Sequence, residues 1–569
     1  MKFDKYFFTL LIILLFGFLV RLNFTDFNAE VSSSDEGEYL VMAKSFLKGD
    51  IMLQWNYYRP FLFPLIWSGI FGLGLGENAV RIMIILFSLL SIVYAYLFAR
   101  LLFNNKTIGL FSALFIAVFS QDIFFSTKIL LNTSVLASWI VTCYYFYYGL
   151  INNSNKSLYL SAILAGISAL IYSQNIVLFL FLLSFLIFYS GLNLFTIKKY
   201  QIFILLFFLV YILNFLYSFI IFGEPFRMFI YGLWGSYTST EINGQGILFS
   251  IFSFFIYFPN YFGYLFLIFA ILSLVIFFKP ISILIKTFIL YLIRNKIKII
   301  YSLIFLILSL GLLYLIKSLY FTENDIIKQF IFSNIVTFIF ACIAVVLLII
   351  FRDYFNNFNK NILFKNLDMK YLFLFLWFIT SLIGILKTSN HFEPRYLMTT
   401  LVPLFFLISN ILYKFYKKII NFIPKFIGIS FIIIILIFGS FFQILNVNSL
   451  IIQHNTTNGI KEGSYWINNN SNPDDLILGP WNFAITYYAD RKFTYFPKGR
   501  SGNKDYDYFF SEVNSLKPSY LVLYDVKRHE EENYYYKQLL NDTRLQIDSL
   551  AVFDTSNGNQ TFKIYKINY

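Results

Sequence analysis

Residues 27–64 indicate what kind of membrane protein this chain is, and they read FNAEVSSSDEGEYLVMAKSFLKGDIMLQWNYYRPFLFP. They directly follow an apolar run long enough to cross a membrane. Asp35, Glu36 and Glu38 lie close together in this stretch, and Arg59 follows in an aromatic run bounded by prolines. A plain membrane anchor needs none of these charges, so the stretch predicts a polar site at the membrane surface.

The composition around this stretch is that of a polytopic membrane protein. Of the 569 residues, 59% are hydrophobic and only 13% are charged, which is more apolar surface than a soluble core of this length uses. A helix needs about 20 apolar residues to cross the hydrocarbon core. Counting such runs predicts a mainly α transmembrane bundle of about thirteen spans, at 6–22, 79–103, 107–121, 130–150, 157–173, 176–195, 201–222, 257–278, 299–316, 329–351, 371–387, 397–416 and 426–446.

The net charge of +14 is explained by topology. Lys and Arg cluster in the loops on one side of the predicted spans, for example at Lys106, Lys156 and 279–298, which is the positive-inside pattern. This places the N-terminus in the cytoplasm, and the odd number of spans places the C-terminal segment outside the cytoplasm. A nucleic-acid partner is therefore not needed to explain the charge.

The composition changes at about residue 447, where Asn, Asp, Ser and Gly become frequent and long apolar runs stop. We therefore expect a transmembrane domain over 1–446, with its first outer loop at about 23–78, and a small soluble α/β domain over 447–569. In the second domain, short apolar strands alternate with helix-like segments. The predicted strands are 476–478, 520–524 and 562–565, and the predicted helices are 459–469, 506–516 and 531–541.

The carboxylate cluster in the first outer loop has more than one interpretation. If a helix begins near Glu36, Asp35 and Glu38 share one face of it. Such a pair suits a general base with an orienting partner, or the oxygen ligands of a divalent cation such as Mg²⁺ or Mn²⁺. The alternative is a helix N-terminus that is capped by Ser34 or Asp35 and stabilised by its acidic first turn.

A second polar cluster, KTSNHFEPRY at residues 387–396, is predicted on the same outer side. Arg395 precedes an apolar helix, so its guanidinium is expected at the level of the lipid headgroups. There it suits a phosphate, although simple snorkelling of the side chain explains it as well. His391 and Glu393 are possible metal ligands by type, but two residues are too few for a site. Lys128 and Asn132 lie in a further outer turn.

Together these motifs resemble the membrane glycosyltransferases of the C type (GT-C), in particular the protein O-mannosyltransferase and aminoarabinose transferase branch. The resemblance is carried by DEGEYLVMA at 35–43, YRPFLFP at 58–64, Arg81 at the start of a span, and EPRYL at 393–397 before Pro403. Two positions depart from the family's pattern. Arg59 stands where many members have lysine, and Asn132 stands where members often have an acidic residue.

The resemblance implies roles for the matching residues. Asp35 would be the general base, with Glu36 or Glu38 assisting it or coordinating a cation, and Arg59 and Arg395 would stabilise the departing polyprenyl phosphate. The other residues implied at the site are Arg81 and Lys128 for the donor phosphate, and Tyr58, Asn132, His391, Glu393 and Tyr396 for substrate.

The expected function is transfer of a sugar from a polyprenyl- or dolichyl-phosphate donor to a lipid, glycan or protein acceptor outside the cytoplasm, with inversion. Two other classes stay open. A transporter or flippase for lipid-linked sugars would need polar residues through the midplane of many spans, whereas here they cluster on the outer face. A structural membrane protein would use its C-terminal domain to bind partners at the cell surface.

Overall fold

The computed structural model describes residues 4–31, 34–49, 59–228, 270–271, 273, 368–386, 394–454, 459–480, 483–495, 506–524, 533–554 and 561–569. Ten of the thirteen predicted spans fall in these ranges, and each of them is helical. The predicted spans 257–278, 299–316 and 329–351 lie wholly or largely outside the described residues. So does the basic stretch 279–298.

Thirteen α-helices form the first part of the chain within the described ranges. Seven are long and apolar enough to cross a membrane, and a bent pair makes an eighth candidate. This confirms the predicted polytopic helical bundle. The helices are α1 Lys5–Phe24, α2 Ser34–Lys48, α3 Leu62–Gly72, α4 Glu77–Phe103, α5 Lys106–Val118, α6 Ser120–Ser126, α7 Asn132–Ile151, α8 Asn155–Ile171, α9 Ile176–Ser190, α10 Lys198–Phe222, α11 Met369–Leu386, α12 Met398–Ile419 and α13 Lys425–His454.

The bent pair is α5 and α6, which meet at an angle of 52°. The extended backbone of Phe119 separates them. Arg21 of α1 stabilises the break: its guanidinium donates to the carbonyl of Ala117 at 3.0 Å and to the Asp122 carboxylate at 2.7 Å. Both side chains are fully buried, so each charge neutralises the other in an environment where a lone charge is very unfavourable.

The C-terminal part is a small α/β domain, as predicted. It contains α14 Ile460–Asn470, β1 Leu476–Leu478, α15 Phe483–Ala489, β2 Lys492–Thr494, α16 Tyr506–Leu516, β3 Tyr520–Tyr524, α17 Asn533–Leu540, β4 Gln546–Asp554 and β5 Thr561–Asn568. The sheet order is β2-β1-β3-β5-β4. β1 pairs in parallel with β2 and β3, whereas β5 is antiparallel to β3 and β4. We refer to residues 459–569 as the outer domain, after the side of the membrane that the sequence predicts for them.

The predicted strands of the outer domain are the buried ones. Every residue of β3 is buried, which is why its sequence is a continuous apolar run. β2 and β4 were not predicted. They are the two edge strands of the sheet, and the exposed positions of β4 include Asp548 and Ser549. The short helix α15 was not predicted either.

Helix α2 lies between the two domains. From Glu36 to Ala43 it is buried on all sides, although its sequence is not apolar enough for a membrane span. One cluster of buried side chains joins Leu40 of α2 to Ile84 of α4 and to Ile477 and Tyr488 of the outer domain. The first outer loop is thus part of a core that both domains share.

Candidate active site

The centre of the site is an ion-pair group of four residues on and near α2: Asp35, Glu38, Arg59 and Arg395. The helix does place Asp35 and Glu38 one turn apart, and both carboxylates contact the same guanidinium. Arg59 Nη2 donates to Asp35 Oδ1 at 2.5 Å, and Arg59 Nε donates to Glu38 Oε2 at 2.7 Å. The guanidinium also lies over the ring of Tyr39, 5.2 Å from its centroid, so its orientation is fixed from several directions.

Arg395 reaches the same carboxylate from the far end of the sequence. A short 3₁₀-helix, Pro394–Leu397, leads into α12 and carries Arg395 at the start of that span. Its Nη2 donates to Asp35 Oδ2 at 3.0 Å. Asp35 therefore holds one arginine on each of its two oxygens, and its side chain is 26% exposed.

Two opposing effects act on the Asp35 carboxyl. Burial raises its pKa, but the guanidiniums of Arg59 and Arg395 outweigh burial and lower the pKa to about 2. Asp35 is therefore ionised at neutral pH. Because Asp35 and Glu38 are matched by two arginines, the group is close to neutral before any ligand binds.

Glu36 points away from this group. Only 1% exposed, it accepts a hydrogen bond from the backbone N–H of Ile129 at 2.7 Å. This contact joins α2 to the turn between α6 and α7. The position of Glu36 thus favours a role in holding α2 rather than direct contact with a substrate.

A cavity of about 100 Å³ opens beside the ion-pair group. Five residues from the sequence-based interpretation line it: Asp35, Arg59, Asn132, Arg395 and Tyr396. The other lining residues come from α2, from α7 and the turn before it, from the break between α8 and α9, and from α9, α11 and α12; several carry polar groups. They are Tyr39, Leu130, Leu131, Val135, Trp139, Tyr172, Gln174, Asn175, Val177, Ser381, Gly384, Met398 and Thr399.

The polar residues Tyr172, Gln174 and Asn175 were not predicted as part of a site. They form the short break between α8 and α9, where two apolar runs meet in the polar sequence YSQN. Asn175 is held in place by Trp139, whose indole N–H donates to its Oδ1 at 3.1 Å. A polar interruption between two closely spaced spans is the sequence signal that would have indicated this region.

The two residues predicted for the donor phosphate besides Arg59 and Arg395, namely Arg81 and Lys128, do not line the cavity. Arg81 is only 2% exposed and donates to the carbonyls of Ala29 at 3.0 Å and Thr127 at 3.3 Å. Lys128 packs over the ring of Phe124, and burial lowers its pKa. Their predicted contact with a donor phosphate stays a prediction, and the contacts of Arg81 favour a role in holding the outer loops. Tyr58, His391 and Glu393 lie outside the described residues.

The arrangement does not favour a cation between Asp35 and Glu38. Arg59 occupies the position between the two carboxylates. Among the residues that the structure describes, no group of three or more His, Cys, Asp and Glu side chains is placed to hold a metal ion. The residues present fit an anionic ligand on the arginines better than a divalent cation on the carboxylates.

Comparison with known proteins identifies one matching family model and solved structures of similar fold. Residues 58–217 match the family model of dolichyl-phosphate-mannose-protein mannosyltransferases. No curated protein sequence matches the chain. Two crystal structures of ArnT from Cupriavidus metallidurans share the fold. The structure bound to undecaprenyl phosphate is 12% identical, with a TM-score of 0.55 and coverage of 98% of this chain and 97% of that chain.

The apo structure of the same ArnT gives a TM-score of 0.60 at 11% identity, with 97% of each chain covered. The match extends over both the helical bundle and the outer domain. At this level of identity it establishes the fold. With the family model, it confirms the resemblance to the GT-C membrane glycosyltransferases that the sequence motifs predicted. The seven candidate spans agree with a multi-pass membrane protein.

Proposed function

We propose that this chain, which has the GT-C fold, is a membrane glycosyltransferase that uses a polyprenyl- or dolichyl-phosphate sugar as donor. The observation that carries the proposal is Asp35 held between Arg59 and Arg395 at the mouth of a cavity beside the membrane-spanning helices. The similar proteins support it, since the family model is that of dolichyl-phosphate-mannose-protein mannosyltransferases and one ArnT structure contains undecaprenyl phosphate.

The two arginines supply what a lipid-linked phosphate needs. Each guanidinium presents several N–H donors in a planar fork and stays charged at any physiological pH. A bound phosphodiester accepts hydrogen bonds from the guanidiniums and shares them with Asp35. When the sugar departs, negative charge grows on the phosphate, and a guanidinium already in place stabilises that charge more than the starting state.

Asp35 is the proposed general base. It takes the proton of the acceptor hydroxyl while that oxygen forms a bond to the anomeric carbon of the sugar. The bond from the anomeric carbon to the phosphate oxygen breaks at the same time, and its electron pair leaves with the polyprenyl phosphate. Attack from the face opposite the leaving group inverts the anomeric configuration, and no covalent intermediate on the protein is needed.

Donor binding would also change the basicity of Asp35. In the resting geometry the two arginines hold its pKa at about 2, which makes it a weak base. A phosphate that shares these arginines draws their charge away from Asp35 and adds a negative charge nearby, and both effects raise its pKa. The base would thus become effective only when the donor is bound.

The acceptor is a lipid, a glycan or a protein on the extracytoplasmic face, with the N-terminus of the chain in the cytoplasm. The outer position of the site follows from the distribution of Lys and Arg in the predicted loops. The polar groups of Gln174 and Asn132 beside the cavity are suited to hydroxyl groups of the sugar.

Two measurements on the purified protein in lipid test this function. Native mass spectrometry would detect polyprenyl phosphate retained from the membrane, and labelled polyprenyl-phosphate sugars would be mixed with candidate acceptors to detect transfer. We expect a bound polyprenyl phosphate and a product of inverted configuration. A protein that binds no polyprenyl phosphate and no polyprenyl-phosphate sugar would contradict the proposal.

A further inference from the structure

The outer domain packs directly on the helix that carries Asp35. Its helix α15 crosses α2 at Gly37, between the carboxylates Glu36 and Glu38. A Cβ atom at Gly37 would lie 2.6 Å from the carbonyl carbon of Phe483 and closer still to the backbone nitrogen of Ala484. Backbone atoms cannot move aside as a flexible side chain can, so only glycine allows the two helices to approach this closely.

The contact lies on the side of α2 that faces away from the cavity. A helix advances about 100° per residue, so Gly37 is about 200° around the axis from Asp35. Asp35 and Glu38 face Arg59 on one side, while α15 presses on the other. All seven residues of α15 are buried, which shows that the contact is a packed interface.

Polar contacts fix the same interface along the helix. Lys44 Nζ donates to the carbonyl of Tyr487 at 2.6 Å and lies 4.4 Å from the centre of the Tyr487 ring. Lys48 is paired with Asp490 at 2.7 Å, although this pair is exposed and contributes little. Lys44 is more enclosed, with 27% of its side chain exposed.

A second set of contacts ties the outer domain to the start of α4. The Glu77 carboxylate accepts hydrogen bonds from Lys461 Nζ at 3.0 Å and from the Tyr488 hydroxyl at 3.1 Å. The Tyr488 hydroxyl in turn accepts the backbone N–H of Val31 at 2.9 Å. The loop before α2, α2 itself and α4 are thus all held by one face of the outer domain.

We propose that Gly37 and Lys44 are positioning residues, through which α15 of the outer domain fixes α2 and thereby the reactive geometry of Asp35 and Glu38. The proposal rests on the proposed function for its catalytic consequence. It assigns the outer domain a part in the active site without any contact to substrate. A displacement of a catalytic group by about 1 Å lowers rates by as much as about 100-fold, so a small shift of α2 is sufficient.

The test compares two glycine substitutions in neighbouring outer helices. Gly37→Ala forces a Cβ into the backbone of α15, whereas Gly69→Ala in α3 adds a Cβ where nothing lies within 4 Å. We expect Gly37→Ala to lower kcat for sugar transfer about 10- to 100-fold with a smaller change in KM for the donor. Gly69→Ala should keep the parent kcat. Equal kcat values for the two variants would overturn the proposal.

Hydrogen exchange of the backbone amides gives a readout that does not depend on activity. Gly37→Ala should increase exchange in residues 36–43 and 483–489, and Gly69→Ala should not. If the parent protein transfers no sugar, the proposed function fails, and the exchange data still decide whether α15 fixes α2. Unchanged exchange in Gly37→Ala would overturn the positioning role.

Lys44 provides a milder variant in case Gly37→Ala does not fold. Lys44→Met keeps the length of the side chain but removes the ammonium that donates to Tyr487, whereas Lys44→Arg keeps a donor and a positive charge. We expect Lys44→Met to lower kcat and to increase exchange in residues 36–43, with Lys44→Arg closer to the parent. A Lys44→Met protein that matches the parent in both measurements would overturn the proposal.

Discussion

Asp35 and Arg395 are 360 positions apart in the sequence, yet their side chains are joined by a hydrogen bond of 3.0 Å. The contact brings the first outer loop against the start of a late membrane helix. It is also the contact that a phosphate would have to share. Asp35 and Arg395 therefore give the most direct tests of the proposed chemistry.

Asp35→Asn should abolish most of the transfer activity while the donor still binds. The amide has nearly the shape of the carboxylate but cannot accept the proton of the acceptor, and loss of general-base catalysis typically costs about 10²- to 10⁴-fold. Single-turnover transfer and donor binding would both be measured. Asp26→Asn, an exposed carboxylate in the same loop, is the matched control and should behave as the parent. Undiminished transfer by Asp35→Asn would exclude Asp35 as the base.

Arg395→Ala should weaken donor binding more than acceptor binding. The guanidinium offers a planar fork to the phosphate, and losing a charge-assisted contact typically costs about 1.5–3 kcal/mol, which is roughly 10- to 100-fold in Kd. Arg395→Lys should recover only part of this loss, because an ammonium lacks the fork. The control is Lys417→Ala, an exposed cation at the other end of the same helix. An equal loss of binding affinity for the donor and for the acceptor would contradict a phosphate-binding role.

The sequence alone predicted that Asp35, Arg59 and Arg395 lie on the same side of the membrane. Charged residues beside apolar runs cost free energy, so they are candidates for function. The distribution of Lys and Arg in the loops predicted on which side of the membrane they lie. What the sequence did not show is that all three belong to a single ion-pair group together with Glu38. That pairing depends on how distant helices pack, and no local pattern contains this information.

The same limit explains the residues that were missed. Trp139 lies inside a predicted span, and an apolar run does not reveal which face of a helix lines a cavity. The ion pair of Arg21 was missed as well, because its buried partner Asp122 is about 100 residues away in the sequence. The contact of α15 with Gly37 also needed the tertiary structure, since neither segment is unusual by itself.

The acid side of the stability profile should depend on Asp35. Its pKa is about 2 in the folded protein and 3.8 in the unfolded reference, so its ionised form stabilises the fold above about pH 4, and this contribution is lost as the pH falls towards 2. Thermal unfolding of the parent and of Asp35→Asn would be compared from pH 6 downwards. We expect the difference in unfolding temperature to narrow below about pH 4; a difference that stays constant to pH 2 would be inconsistent with this coupling.

Asn132→Asp should weaken binding of an anionic donor. Asn132 lines the cavity, and a carboxylate there would repel the phosphate by about 1–2 kcal/mol at an effective dielectric constant near 20. We therefore expect the Kd for the donor to be about tenfold higher. At high salt the loss of affinity should be smaller, because salt screens the repulsion. Asn132→Ala is the control for loss of the amide alone. Equal binding by the Asp and Ala variants would show that the phosphate does not approach this position.

The buried pair of Arg21 and Asp122 should behave as a unit when its members are removed. Each partner alone would be an uncompensated charge away from water, so Arg21→Met or Asp122→Leu should destabilise the protein strongly, by about 3–5 kcal/mol. The double variant leaves no buried charge and should be more stable than either single variant. Thermal unfolding in detergent would measure all three proteins against the parent. If the double variant lost as much stability as the two single variants together, the two charges would not be paired in the folded protein.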